Sequence, residues 1–363
     1  MAQIVHHMHR HIFIATALFC ILALSARSQP PRMAGPNTIL PAGIIKGLSD
    51  SALLDVVQRQ TFRYFWNFAH PVSGLARERD NTVNAEYYWD YINEADGDPN
   101  FSKDHFGPEA CAIGGTGFGI LATIVAVNRR WIGRDTALIT YVVAASSPTH
   151  PISKELYESC WVNSASWLNG KEYYGIRLPL GNFDYGGPLF FEQYTFMGID
   201  PNHLKDDKGV DYAEQTRNHT LINRAYCIDN PKKFKGYGAN CWGLTAGDSY
   251  KGYAAHCPQD DRGVIQPTAA LSSFPYTPEY SMQALRHFYY DLGDRIWGPY
   301  GFADGFSESR QWYAKTHLAI DEGPIVVMIE NYRSGLIWKL FMQIGDIRSG
   351  LQKLGFTMDT TKN

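Results

Sequence analysis

Basic runs are absent from this chain, and a net charge of −3 leaves it nothing with which to neutralise a nucleic-acid backbone. Charged residues are few, 19% against 45% hydrophobic, which excludes a disordered polymer and supplies a sizeable core. No C-x-x-C pair occurs and the histidines are scattered, so a zinc site is excluded; no loop fits a calcium motif, and we expect neither a metal nor a cofactor. Self-similar repeats and low-complexity tracts are also missing. No apolar run reaches the roughly 20 residues of a membrane span. The nearest, Ile12 to Leu24, follows Arg10 and precedes Ala26-Arg27-Ser28, which reads as a signal peptide (1–28) cut after Ser28, with export to a periplasmic or extracellular space. Its removal leaves Cys111, Cys160, Cys227, Cys241 and Cys257, an odd set that we read mainly as small buried apolar residues.

Aromatic residues, by contrast, make up 14% of the chain, with 22 Tyr and 9 Trp. Amphipathic rings in such numbers suit ligands with mixed polar and apolar faces, sugars among them. Residues 29–48 are rich in proline and glycine and form an extended lead-in. Ser49 or Asp50 then caps a helix whose stripe is Leu54, Val57, Thr61, Phe65 and Phe68, with further aromatics on its other faces. Gly114-Gly115-Thr116-Gly117-Phe118-Gly119 opens a helix to about Val127; with no strand before it, these glycines serve close helix packing rather than a dinucleotide. Helices are predicted at 138–145, 152–162, 189–196 and 212–226, and a hairpin within 173–185. The loop Cys241 to Asp248 offers Trp242 for sugar stacking and Asp248 for hydroxyl binding; a purely packed loop is the equal alternative. The class is mainly α, in one domain (49–356) with a short tail (357–363).

The stretch from Leu271 to Phe341 carries the strongest signals. Thr277 and Pro278 begin a helix striped by Met282, Leu285, Phe288, Tyr289 and Leu292. The loop Trp297 to Phe306, rich in glycine and aromatics, is suited to line a concave site. Pro324 is expected at the first position of an all-round apolar helix, Ile325 to Ile329, which sets Asp321 and Glu322 at its mouth. The positive helix end favours an anion, so Asp321 is expected to stay ionised and to suit a general base; the alternative is a capping acid.

Three segments carry a family resemblance: Asn223 to Pro231, Leu271 to Ser281, and Ala319-Ile320-Asp321-Glu322-Gly323-Pro324. With Leu53 to Arg79, Gly114 to Ile120 and most of Gly186 to Phe356, they resemble the glycoamylase-like glycoside hydrolases of the endo-β-1,2-glucanase type. The resemblance implies an (α/α)6 toroid of helical hairpins, a central acidic cleft, and inverting hydrolysis of a β-linked glucan. It implies Asp321 as the catalytic, water-activating carboxylate and Trp242, Asp248, Arg77, Tyr280 and Glu279 as substrate-binding residues. One departure stands out. Family members continue past the helix ending near Arg130 into further helices, one bearing an Asp-Leu-Val-Glu motif, and reach an Asn-Glu before the segment matching Ala137 to Tyr141. Here Trp131-Ile132-Gly133 runs directly into Arg134-Asp135-Thr136. The toroid is thus expected to be incomplete and one of its acids missing, with Glu192 and Glu279 the nearest substitutes. A non-catalytic glucan-binding protein and a defective deletion product are the competing readings.

Overall fold

The computed structural model describes residues 41–68, 75–80, 113–129, 168–181 and 183–358. The signal peptide, most of the lead-in, Cys111, Cys160, the helices expected at 138–145 and 152–162 and the tight joint at 131–136 lie outside the described residues. Helices dominate: α1 (Asp50–Phe68), α2 (Ile113–Asn128), α3 (Tyr212–Asp229), α4 (Pro267–Leu271), α5 (Pro278–Arg286), α6 (Gly293–Ile296), α7 (Ala319–Ser334), α8 (Leu336–Met342) and α9 (Gly345–Lys353). Every sheet among the described residues is a two-stranded antiparallel pair. The molecule is mainly α, its helices packed as hairpins with no closed sheet, the architecture of an (α/α) toroid.

Local chemistry explains the helices. Ser49 Oγ accepts the Ala52 N–H at 3.3 Å to start α1, and Asp211 accepts from Ala213 and Glu214 to start α3. Burial runs around most of α1, from Leu53 to Trp66, because α7 and α2 both pack against it. In α7 the run Ile325 to Ile329 is buried on every side, as its sequence requires. Gly119 lets α2 close on α1: a Cβ there would lie 2.8 Å from Phe65 Cδ1. Gly323 does the same for α7 and α2, since its Cβ would stand 2.4 Å from Phe118 Cβ. Backbone and ring base cannot both retreat, so Gly323→Ala is expected to cost about 1–3 kcal/mol, read as a lower urea midpoint with an unchanged slope.

Three expectations need correction. α7 begins at Ala319, five residues before Pro324. The proline therefore sits inside the helix, where it supplies no N–H to the carbonyl four residues back, and Asp321 and Glu322 belong to the first turn itself. The segment 189–196 forms two 3-10 turns, Leu189–Glu192 and Thr195–Met197, because its rings pack on one another rather than along one face. Finally, Thr357–Met358 pairs with Leu204–Lys205, so the domain continues past residue 356. The predicted hairpin is present as Glu172–Tyr173 against Ile176–Arg177. The described part of the lead-in is pinned down: Ala42 N–H donates to Gln60, and Ile45 N–H to the Tyr289 hydroxyl, each at 2.9 Å.

Candidate active site

Four buried acids converge where two hairpins meet the start of α7. Asp248 lies on the strand Ala246–Ser249, Asp304 on the loop before the strand Phe306–Ser307, and Asp321 and Glu322 in the first turn of α7. Their exposure is between 1% and 4%.

The backbone brings them together through specific small residues. A Cβ on Gly247 would lie 2.9 Å from Asp304 Oδ2, and one on Gly305 would lie 2.9 Å from the Asp248 carbonyl oxygen. Asp248 N–H donates to Asp304 Oδ2 at 2.5 Å, while Asp304 N–H donates to the Thr316 carbonyl at 3.0 Å. The Thr316 hydroxyl donates in turn to Asp248 Oδ2 at 2.6 Å. Arg79 Nη1 reaches both Asp248 oxygens at 3.2 Å, a buried ion pair. Arg79 is delivered by the strand Arg79–Asp80, which pairs with His317–Leu318 directly before α7. The Thr268 hydroxyl, on α4, donates to the Asp321 carbonyl at 2.9 Å.

These neighbours decide the protonation. Burial pushes the Asp304 carboxyl up from 3.8 to about 7, and the Asp248 charge adds to this; Asp321, the Asp248 N–H and Arg79 pull back. Asp321 is raised well above the ordinary carboxylate range by burial, then by Asp304, then by Glu322 and Asp248. Burial and Asp304 raise Glu322 likewise. Burial and the neighbouring acids therefore favour the protonated form of Asp321. Neither Asp321 carboxyl oxygen meets a hydrogen-bond partner among the described residues. The expectation of an ionised Asp321 is thus overturned. A helix N-terminus contributes at most about 2 kcal/mol in favour of an anion, whereas full burial beside other carboxylates shifts such groups by as much as about 3–5 units. The Tyr194 and Tyr253 phenols are raised too, by burial first and the Asp321 charge next, so both stay neutral O–H groups at the edge of the cluster.

Carboxyls raised by burial and by one another's charge form a proton-handling unit. Such a unit can protonate a leaving oxygen.

The Glycoamylase family model, described as "Putative glucoamylase", matches residues 128–345 and so includes all four acids of this cluster. The chain belongs to the Glycoamylase family. A crystallised family protein of the same description from Bacteroides uniformis is 40% identical, with a TM-score of 0.76 over 87% of this chain and 99% of its own. An endo-β-1,2-glucanase from Chitinophaga pinensis, solved with sophorotriose and glucose, is 35% identical, with a TM-score of 0.73 over 86% and 99% of the two chains. An exo β-1,2-glucooligosaccharide sophorohydrolase of Parabacteroides distasonis is 41% identical over 247 residues, 63% of this chain. The chain spans about a third of that relative's length, 34%.

Within this family frame the residues expected from the sequence divide. Asp321 and Asp248 join the cluster. Trp242 does not act as a platform: it is fully buried, in an apolar cluster with Tyr226, Leu244, Ile265 and Phe274, and the packed alternative holds. Arg77 lies 5.0 Å from the Phe68 ring centroid; Arg79, two residues on, is the arginine that reaches the acids. The Tyr280 ring is covered by the Arg224 guanidinium at 3.8 Å. Glu279 lines a different cleft of about 1000 Å³ with Asp50, Arg129 and Arg333. Glu192 is committed to Gln215 and His219 at 2.8 and 2.9 Å. Sequence reasoning missed Asp304, Arg79 and Thr316. The signal for Asp304 was present, since it is the sole charged residue in the aromatic, glycine-rich loop from Trp297 to Phe306.

Proposed function

We propose that this chain is an exported glycoside hydrolase directed at β-1,2-linked glucan, with Asp321 the reacting carboxyl and Asp304 its partner. The observation that carries this reading is the buried cluster of Asp248, Asp304, Asp321 and Glu322, in which burial and neighbouring acids push Asp304 and Asp321 toward the protonated form beside Tyr194 and Tyr253. Proton donation to a leaving glycosidic oxygen needs such a group. The β-1,2-glucan chemistry in the names of the Chitinophaga and Parabacteroides relatives supports the choice of substrate.

Inversion also needs a carboxylate that activates water from the opposite face. Asp248 is held by Arg79 and Thr316, Glu192 by Gln215 and His219, and Glu279 faces another cleft, so none of these is placed for that task. We ascribe this to the block that family members are expected to carry where this chain runs from Trp131 to Leu138. Turnover is accordingly expected to be slow, roughly 10²–10⁴-fold below an intact family member. Incubation of the whole chain with β-1,2-glucan, following reducing ends and binding together, tests this. Binding with slow release is the expected result. Fast hydrolysis overturns the missing-acid reading, and no β-1,2-glucan binding overturns the substrate. Binding with no release above background moves the assignment to a glucan-binding protein without chemistry, the reading favoured by the same missing block.

A further inference from the structure

A file of aromatic rings leads from the protein surface to the acidic cluster. Phe183 and Phe191 stand at its outer end, each 41% exposed, with centroids 5.9 Å apart and planes inclined by 40°. Phe191 meets Phe190 at 4.6 Å, Phe190 meets Tyr194 at 5.0 Å, and Tyr194 meets Phe118 at 5.1 Å. Phe118 in turn lies against Gly323, two residues beyond Asp321. The inner end of the file is thus fixed to the turn that bears the reacting carboxyl.

Two details indicate that the outer rings are held for a purpose other than filling a core. Gly187, at φ +78°, lets both approach its backbone: a Cβ there would lie 3.0 Å from Phe183 Cγ and 3.2 Å from Phe191 Cε2. A left-handed backbone under two exposed rings is a conformation glycine alone adopts cheaply. At the inner end the Tyr194 hydroxyl is buried yet donates to no described group, and it senses the charges of Asp321 and Asp304. A buried hydroxyl without a partner costs about 1–3 kcal/mol, a cost that a ligand oxygen at that place relieves.

We propose that Phe183 and Phe191 form a distal sugar subsite, where successive pyranose units of a glucan chain lay their apolar C–H faces on the rings while Tyr194 bonds a hydroxyl of the unit nearest Asp321. Phenyl rings offer area and no hydrogen bonds, so the ligand must present an axial C–H face, as β-linked glucose does. Five rings in file reach further than one sugar, so the subsite favours longer chains over a disaccharide.

This rests on the glucan-directed function above, and the test separates the two. Binding of β-1,2-, β-1,3-, β-1,4- and α-1,4-linked glucans, as disaccharides and as polymers, is measured by calorimetry for the whole chain and for its F183A, F191A and double variants. Each single variant is expected to weaken polymer binding roughly three- to ten-fold, the double variant more, while disaccharide affinity and melting temperature barely move. Phe191→Leu keeps apolar bulk and removes the ring; it is expected to weaken binding as Phe191→Ala does, even where the alanine variants fold poorly. Unchanged polymer affinity in the double or leucine variant overturns the subsite. Loss of affinity for a glucan of another linkage sustains the subsite and overturns the β-1,2 assignment. Absence of any glucan binding by the unaltered chain overturns both.

Discussion

Trp242→Ala is expected to destabilise the protein by about 3–5 kcal/mol, among the largest effects any single substitution here can have. The indole is fully buried, within the cluster that also holds Leu53, Leu54, Cys227, Phe274, Leu285 and Phe288. Truncation removes its contacts and leaves a void that α1, α3 and α5 are too constrained to close. Since whole-domain stability is of the order of 5–15 kcal/mol, the variant is expected to melt at a visibly lower temperature. Glucan affinity, measured on the folded fraction, should be unchanged. A full melting temperature with weakened binding would return Trp242 to the role of a sugar platform.

The second large effect concerns the buried Asp321 carboxyl. Asp321→Asn keeps the shape of the side chain and removes the transferable proton, so hydrolysis is expected to fall by about 10²–10⁴-fold with binding within a few-fold. It is best read in a chain carrying the proposed missing block between Trp131 and Leu138, where the starting rate is expected to be high. Retained hydrolysis would strip Asp321 of its assigned role. Asp304→Asn supplies the complementary sign. It removes the charge that lifts Asp321, so the alkaline limb of the rate profile, set by loss of the Asp321 proton, should move to lower pH. Stability follows the same linkage. Folded-state values above 3.8 mean that the folded chain holds protons the unfolded chain has released. The contribution of Asp304 is therefore complete below about pH 4 and is lost as pH rises through about 7. Asp304→Asn should flatten that part of the profile; urea midpoints across pH 4–8 measure it.

What was legible beforehand follows from which interactions are local. The stripe of α1, the Gly119 packing and the uniformly apolar Ile325 to Ile329 rest on contacts between near neighbours in sequence and on helical spacing, so they could be read directly. Asp321 and Asp248 stood out as acids beside turn residues. The charge state of Asp321 could not be read, because it depends on Asp304, 17 positions away, on Asp248 and on the depth at which all three are buried. Arg79 and Thr316 were hidden for the same reason, their partner Asp248 being far along the chain. Trp242 shows the converse error, since an aromatic in a polar-looking loop gives no sign of whether its ring turns inward.

The described cysteines carry one more consequence. Cys227 and Cys241 are buried free thiols in the same cluster as Trp242; burial pushes the Cys241 thiol up to about 12 and raises Cys227 as well. Neither is a nucleophile while the domain is closed. An alkylating reagent can therefore modify them only after the core opens, so the rate of thiol labelling under native conditions serves as a clock for that opening, counted without denaturant and without any knowledge of the substrate.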